Sequence, residues 1–79
     1  MRLPRDLYGR DVAQALCSRW GYVKVNQVGS HIILQTEVPK HHRISIPDHK
    51  PLRAGTLNAI LREVAAAKGV SREDILDSI

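Results

Sequence analysis

The chain predicts an α+β fold: a helix, three antiparallel strands, then a second helix and a short third one, with the helices on one sheet face and the other face open. Two observations carry this expectation. Apolar residues recur at helical spacing from Gly9 to Trp20 and again from Leu57 to Val64, whereas the segment between them alternates with period two. A run of strands set between helices favours a sheet covered on one side only. The length of 79 residues fits one small domain over residues 1–79. Such a domain buries roughly 60–65% of its unfolded surface, so chemistry is expected on an open surface and not in a deep cavity.

Each element follows from its residues. "MRLPRD" reads as an extended leader, with Pro4 discouraging helix just before it. Val12, Ala13, Leu16 and Trp20 then mark one helical face, with Asp11, Gln14, Ser18 and Arg19 mostly on the other. Gly21 stands where a left-handed cap ends the helix. "YVKVNQV" alternates Val23 and Val25 against Lys24 and Asn26. "HIILQT" alternates Ile32 and Leu34 against His31, Ile33 and Gln35, and "HHRISIP" alternates His42, Ile44 and Ile46 against His41, Arg43 and Ser45. Pro39 assigns "EVPK" to a loop. Thr56 is the expected cap of a helix whose stripe is Leu57, Ile60, Leu61 and Val64 and whose end is Lys68-Gly69. Ser71 and Asp74 have the spacing of a capping box for a short helix carrying Ile75, Leu76 and Ile79.

Strand pairing decides which side chains share the open face. A tight turn about Val28-Gly29 sets Asn26 opposite His31, Val25 opposite Ile32 and Val23 opposite Leu34, with the valines in the core. The second hairpin sets Ile32 opposite Ile46 and Leu34 opposite Ile44. The open face then displays Lys24, Asn26, His31, Ile33, Gln35, Arg43 and Ser45. Valine disfavours positive φ, so a three-residue turn with Gly29 in a bulge is the alternative, and it would re-aim His31.

Charge and composition narrow the function classes. Twelve Lys+Arg against eight Asp+Glu give a net charge of +4 and a pI near 9.7. Eight of the twelve cations are arginine, which suits forked contacts to phosphate. Nucleic acid or an acidic protein is the expected partner, against the plainer reading of a solvated basic surface. A single cysteine, Cys17, excludes an internal disulfide and fits a packing role in a reducing compartment. No apolar run approaches the ~20 residues of a membrane span, and the start lacks a signal-peptide core, so a cytoplasmic protein without a membrane partner is expected. His41 and His42 point to opposite strand faces, and CxxC and HExxH are absent. No metal and no other cofactor is expected.

"GSHI" opening the second strand, "SIPDHKPL" after the third and "GTLNAILREV" in the next helix, with "LPRD" and "WGY" before them, resemble the HicA mRNA interferase toxins, also called the YcfA family. The resemblance runs from about Leu3 to Ile75. It implies a fold similar to double-stranded RNA-binding domains, α-β-β-β-α, and a stress-response toxin of a type II toxin–antitoxin pair that cleaves mRNA and is silenced by a HicB-like antitoxin. It also implies that His31 is catalytic, that Gly29 supplies the turn before it, that Ser30 belongs to the motif, and that His49 is a recurrent loop histidine with a positioning or structural role. Trp20 departs from the pattern, standing where a smaller or polar residue is expected.

RNA carries its own nucleophile, the 2′-hydroxyl, and needs a group to move its proton and a cation to steady the phosphorane-like transition state. Histidine moves protons near neutrality. Lys24 and Arg43 are the expected phosphate contacts, and Asn26 or Ser30 the orienting group. The expected activity is metal-independent transesterification by an endoribonuclease. The bland reading of His31 is a surface histidine on a sheet. Among rival classes, a non-catalytic RNA-binding module would use Lys50 and Arg53 before the second helix, and a purely structural partner-binding domain would be indifferent to His31→Ala. Ile33 on a polar face fits a surface covered by the antitoxin; docking on the first helix is the alternative.

Overall fold

The computed structural model describes residues 7–48 and 51–79; the leader expected over the first six residues lies outside them. Along the chain run α1 (Gly9–Arg19), β1 (Val23–Val28), β2 (His31–Thr36), β3 (His42–Pro47), α2 (Ala54–Lys68) and α3 (Arg72–Asp77). The strands form one antiparallel sheet in the order β1-β2-β3. This is the expected α+β architecture, a helix, three strands in an open sheet, and two helices.

α1 forms where Val12, Ala13 and Leu16 bury one apolar stripe, with Asp11 in the first turn and Arg19 in the last, both complementing the helix dipole. α2 buries Leu57, Ile60, Leu61 and Val64. It starts earlier than a Thr56 cap implies. Arg53 holds the N-cap position without a side-chain bond, and the Leu57 N–H already donates to the Arg53 carbonyl at 2.9 Å. Seating Leu57 in the core fixes that first turn, and packing overrides the capping preference of threonine. α3 starts as expected: the Ser71 hydroxyl accepts from the Asp74 N–H at 3.1 Å, and the Asp74 carboxylate accepts from the Ser71 N–H at 3.2 Å.

The second hairpin has the expected register, Ile32 with Ile46 and Leu34 with Ile44, and all four are buried toward the helices. The first hairpin does not. Its turn is Gly29–Ser30, so Val28 pairs with His31, Gln27 with Ile32 and Asn26 with Ile33. The ladder skips Val25 in a bulge, beyond which Lys24 pairs with Leu34 and Val23 with Gln35. The cause is local: a primed two-residue turn needs positive φ at its first position, and Gly29 takes φ +59° there without the strain a valine would meet. The bulge reverses the faces of Val23 and Lys24 beyond it, whereas Asn26 keeps its expected place on the open face. Lys24 and Gln27 turn toward the helices, Val23 and Val28 turn outward, and none of the six β1 residues is buried. Val23 and Val25, expected in the core, are 62% and 45% exposed.

The two ends of the sheet are fixed differently. At the turn end, a Cβ added to Gly9 would stand 1.8 Å from the Pro47 carbonyl oxygen, so the backbone of α1 packs directly on the end of β3. Beside it the Asp48 N–H donates to the Ser30 carbonyl at 2.6 Å, and the Asp48 carboxylate accepts from Arg10 Nε at 3.3 Å. At the far end the hydroxyl of buried Tyr22 is hydrogen-bonded to His42 Nδ1 at 2.7 Å. The Lys68 ammonium lies 4.9 Å over the Tyr22 ring and donates to Thr36 Oγ1 at 3.0 Å and to the Val38 carbonyl. Burial, helped by the charge of Glu63, pushes the Tyr22 phenol up to about 12, and burial pushes Lys68 down. Trp20 donates through Nε1 to Ser78 Oγ at 2.7 Å and so ties the end of α1 to α3.

Candidate functional site

β2 is the central strand, so each outward residue on it stands between outward residues of both neighbours. Three rows cross the open face: Val28, His31 and Pro47 at the turn end, then Asn26, Ile33 and Ser45, then Val23, Gln35 and Arg43. Successive rows lie about 7 Å apart, the rise of two strand residues. The register therefore converts directly into a map of the site.

His31 is exposed, and among the described residues no hydrogen bond or ion pair holds its imidazole. Its row neighbours are both apolar, which leaves the ring facing solvent beside two hydrophobic walls. The Ser30 carbonyl, tied to the Asp48 amide, sets where β2 begins relative to the end of β3. Gly29 and Ser30 together make the turn that delivers His31 to the first strand position.

One row in, the Asn26 side-chain oxygen accepts from the Gln27 N–H at 2.8 Å. This fixes the amide and leaves its nitrogen, like the Ser45 hydroxyl across the sheet, unengaged among the described residues. Arg43 is exposed in the third row, without an ion pair among the described residues. It stands about 13 Å from His31 along the strands. A shallow depression runs across all three rows, lined by Val28, Asn26, Ile33, Ser45 and Arg43.

The structure brings Asn26, Gly29, Ser30 and His31 to one end of the open face, with Arg43 at the other. Lys24 is not among them. Its ammonium donates to Gln27 Oε1 at 2.8 Å on the helix side of the sheet, where it borders a groove against α1. His49 lies outside the described residues. His41 and His42 do point apart: His41 Nδ1 is 3.1 Å from the Glu37 carboxylate, whose hydrogen bond to it holds that acid below its usual range, while His42 faces Tyr22. Among the described residues no three His, Cys, Asp or Glu side chains gather where they could hold a metal ion.

Two features escaped sequence reasoning. Val28 and Pro47 flank His31, and Arg10 and Asp48 brace the turn before it. The turn rule that favours Gly29–Ser30 over Val28-Gly29 would have exposed the first pair. Nothing local in "GRD" signals the second.

An open antiparallel sheet, helices on its far side, and an unengaged imidazole at the first position of the central strand define a small α+β domain that presents its chemistry on a flat face. The sequence profile of the HicA toxin of bacterial toxin–antitoxin systems matches residues 9–65, and the chain belongs to that family. No curated protein and no solved structure matches it significantly. The chain is thus a toxin of a toxin–antitoxin system, and no helix among its described residues is long and apolar enough to cross a membrane.

Proposed function

We propose that this chain is a metal-independent endoribonuclease, an mRNA interferase acting as one cytoplasmic domain over residues 1–79, with His31 moving the proton and a HicB-like antitoxin silencing it. The observation that carries the reading is the exposed, unengaged His31 at the head of β2 in a chain of the HicA family. His31 takes the proton of a ribose 2′-hydroxyl. The oxygen attacks the adjacent phosphorus, the bond to the next 5′-oxygen breaks, that oxygen takes a proton from water, and His31 returns its own proton to solvent, which leaves a cyclic phosphate and a 5′-hydroxyl end. Val28 and Pro47 flank the imidazole, and the Asn26 amide and Ser45 hydroxyl supply hydrogen bonds one row away. Arg43 steers the flanking backbone. General acid–base help of this kind is worth roughly 10²–10⁴-fold.

One observation favours a second reading, a non-catalytic RNA-binding module. Among the described residues, His31 is the sole imidazole or carboxyl side chain on the three rows, so no second acid or base stands ready for the leaving group. The test compares the parent chain with His31→Ala on a mixed RNA, with and without excess EDTA. Cleavage by the parent alone, unchanged by EDTA and leaving cyclic phosphate ends, supports the ribonuclease. RNA binding without cleavage by either protein supports the binding module, and equal cleavage by both refutes the role of His31.

A further inference from the structure

The depression on the open face, about 410 Å³, has half-buried Ile33 at its centre and Val28 beside it. A polar side chain stands on either side of the isoleucine, Asn26 on β1 and Ser45 on β3, and Arg43 closes the end away from His31. We infer that this depression seats one unpaired nucleobase, its face on Ile33 and its edges on Asn26 and Ser45, so that the chain takes single-stranded and not duplex RNA. The inference rests on the reading of the open face as an RNA surface, catalytic or not.

Hydrogen-bonding capacity selects that occupant. The Asn26 side-chain oxygen is committed to the Gln27 N–H at 2.8 Å, so its amide offers the depression donors only. The Ser45 hydroxyl donates or accepts. The two strands that carry them stand about 10 Å apart, two strand spacings, with Ile33 between. A ligand that covers the isoleucine therefore needs an apolar face and a polar group at both edges, an acceptor among them. Nucleobases have both. An aliphatic or phenyl side chain of a protein partner would bury Asn26 and Ser45 without partners, which costs free energy. The phosphate attached to the base meets a cation. Glu37, just past the end of β2, is held by Gln35 Nε2 at 2.8 Å and by His41, and Arg43 is left without an ion pair among the described residues.

The same geometry decides the pairing state. In a duplex the base faces are stacked on one another, and the protein meets only groove edges, phosphates and 2′-hydroxyls. Those groups would leave the apolar floor uncovered. An unstacked base lies flat on it. The seat is one row from His31, about 7 Å, so a base held there brings its own sugar and phosphate alongside the imidazole.

The experiment uses the full chain carrying His31→Ala and follows its NMR signals during titration with a uridine trinucleotide, with the matching abasic trinucleotide and with a short RNA duplex. The uridine trinucleotide should shift the Asn26 side-chain amide and the backbone amides of Ile33 and Ser45. The abasic one should leave these in place and move Arg43. Adding Ile33→Ala should raise the trinucleotide Kd about threefold or more, and Ile33→Phe should lower it by a similar factor, because an aromatic floor stacks on the base. Val38→Ala, at a residue 72% exposed beyond β2, should leave it unchanged. Equal affinity for the trinucleotide and its abasic counterpart, or for the duplex, overturns the inference and leaves the RNA reading intact. Insensitivity to both Ile33 variants does the same. A base seat in a chain whose parent leaves RNA uncut upholds the inference and refutes the ribonuclease. If no RNA binds and the cognate HicB-like antitoxin shifts Ile33 instead, the depression belongs to a protein contact and both readings fall.

Discussion

Gly9 and Gly55 stand in the first turns of α1 and α2, and the same substitution at each should have opposite effects. Around Gly9 a new Cβ meets the Pro47 carbonyl oxygen at 1.8 Å, the Pro47 carbonyl carbon at 2.8 Å and the Asp48 Cα at 3.1 Å. All three are backbone atoms, so no side chain can rotate away. Relief requires the end of β3 to move off α1 by more than an ångström, which breaks close packing around buried Val12 and Ile46. Overpacking costs about 1–3 kcal/mol, and a clash against backbone belongs at or above the upper end. The propensity gain of alanine over glycine, at most ~1 kcal/mol, offsets part of it. The expected net loss for Gly9→Ala is therefore about 2–4 kcal/mol. A chain of 79 residues has roughly 4–12 kcal/mol of total stability, so the variant should be severely weakened. Nothing lies within 4 Å of a Cβ added to Gly55, and Gly55→Ala should be neutral or stabilising by up to ~1 kcal/mol. Urea denaturation of the His31→Ala chain with each added change measures both. A Gly9→Ala loss below about 0.5 kcal/mol, the range of ordinary surface changes, would refute the claim that backbone contact between α1 and β3 fixes the head of β2.

Further expectations concern single side chains. Tyr22→Phe should cost about 1–2 kcal/mol at neutral pH, because His42 Nδ1 loses its partner. Above neutrality the parent should lose stability that the variant keeps. The unfolded phenol ionises near 10.0 and the folded one at about 12, so the contribution is complete below pH 10 and lost as pH rises to 12. The loss is about 2–3 kcal/mol, readable by denaturation across that window. Arg43→Ala should weaken RNA binding and lower the salt slope by about 0.7, one single-strand phosphate contact, whereas Lys24→Ala, on the helix face, should change the slope less; equal effects would return Lys24 to the site. Trp20→Phe should lose about 1 kcal/mol with its bond to Ser78, seen as a lower melting temperature without a change in RNA affinity.

What the sequence revealed of the fold divides at the two hairpins. β2 and β3 were legible because each carries strict alternation over its buried positions, and Ile32, Leu34, Ile44 and Ile46 admit one register that buries them all. β1 was not, because its valines imitate a core strand while the turn chemistry contradicts them. Gly29 at φ +59° decides the turn, the bulge at Val25 absorbs the mismatch, and the hydrophobic pattern of Val23 and Val25 yields. His31 kept its open-face assignment under either register, since its face is set by Ile32 and Leu34 on its own strand. Lys24 changed sides because its face depended on the pairing. The bracing of Ser30 by Asp48 and Arg10 was out of reach, being a contact between residues 38 positions apart with no pattern in the chain.

A sheet packed on one side sorts its positions by parity. From His31 to Gln35 and from Arg43 to Pro47, odd numbers face outward and even numbers face the helices. The even set forms the buried core; the odd set, apart from Pro47, whose backbone packs on Gly9, contributes less to holding it together. Exchanges at 33, 35, 43 and 45 can therefore accumulate with little loss of stability, altering the chemistry the open face presents while His31 stays at its post. Daughter copies of such a chain can diverge in the surface they present without passing through an unfolded ancestor.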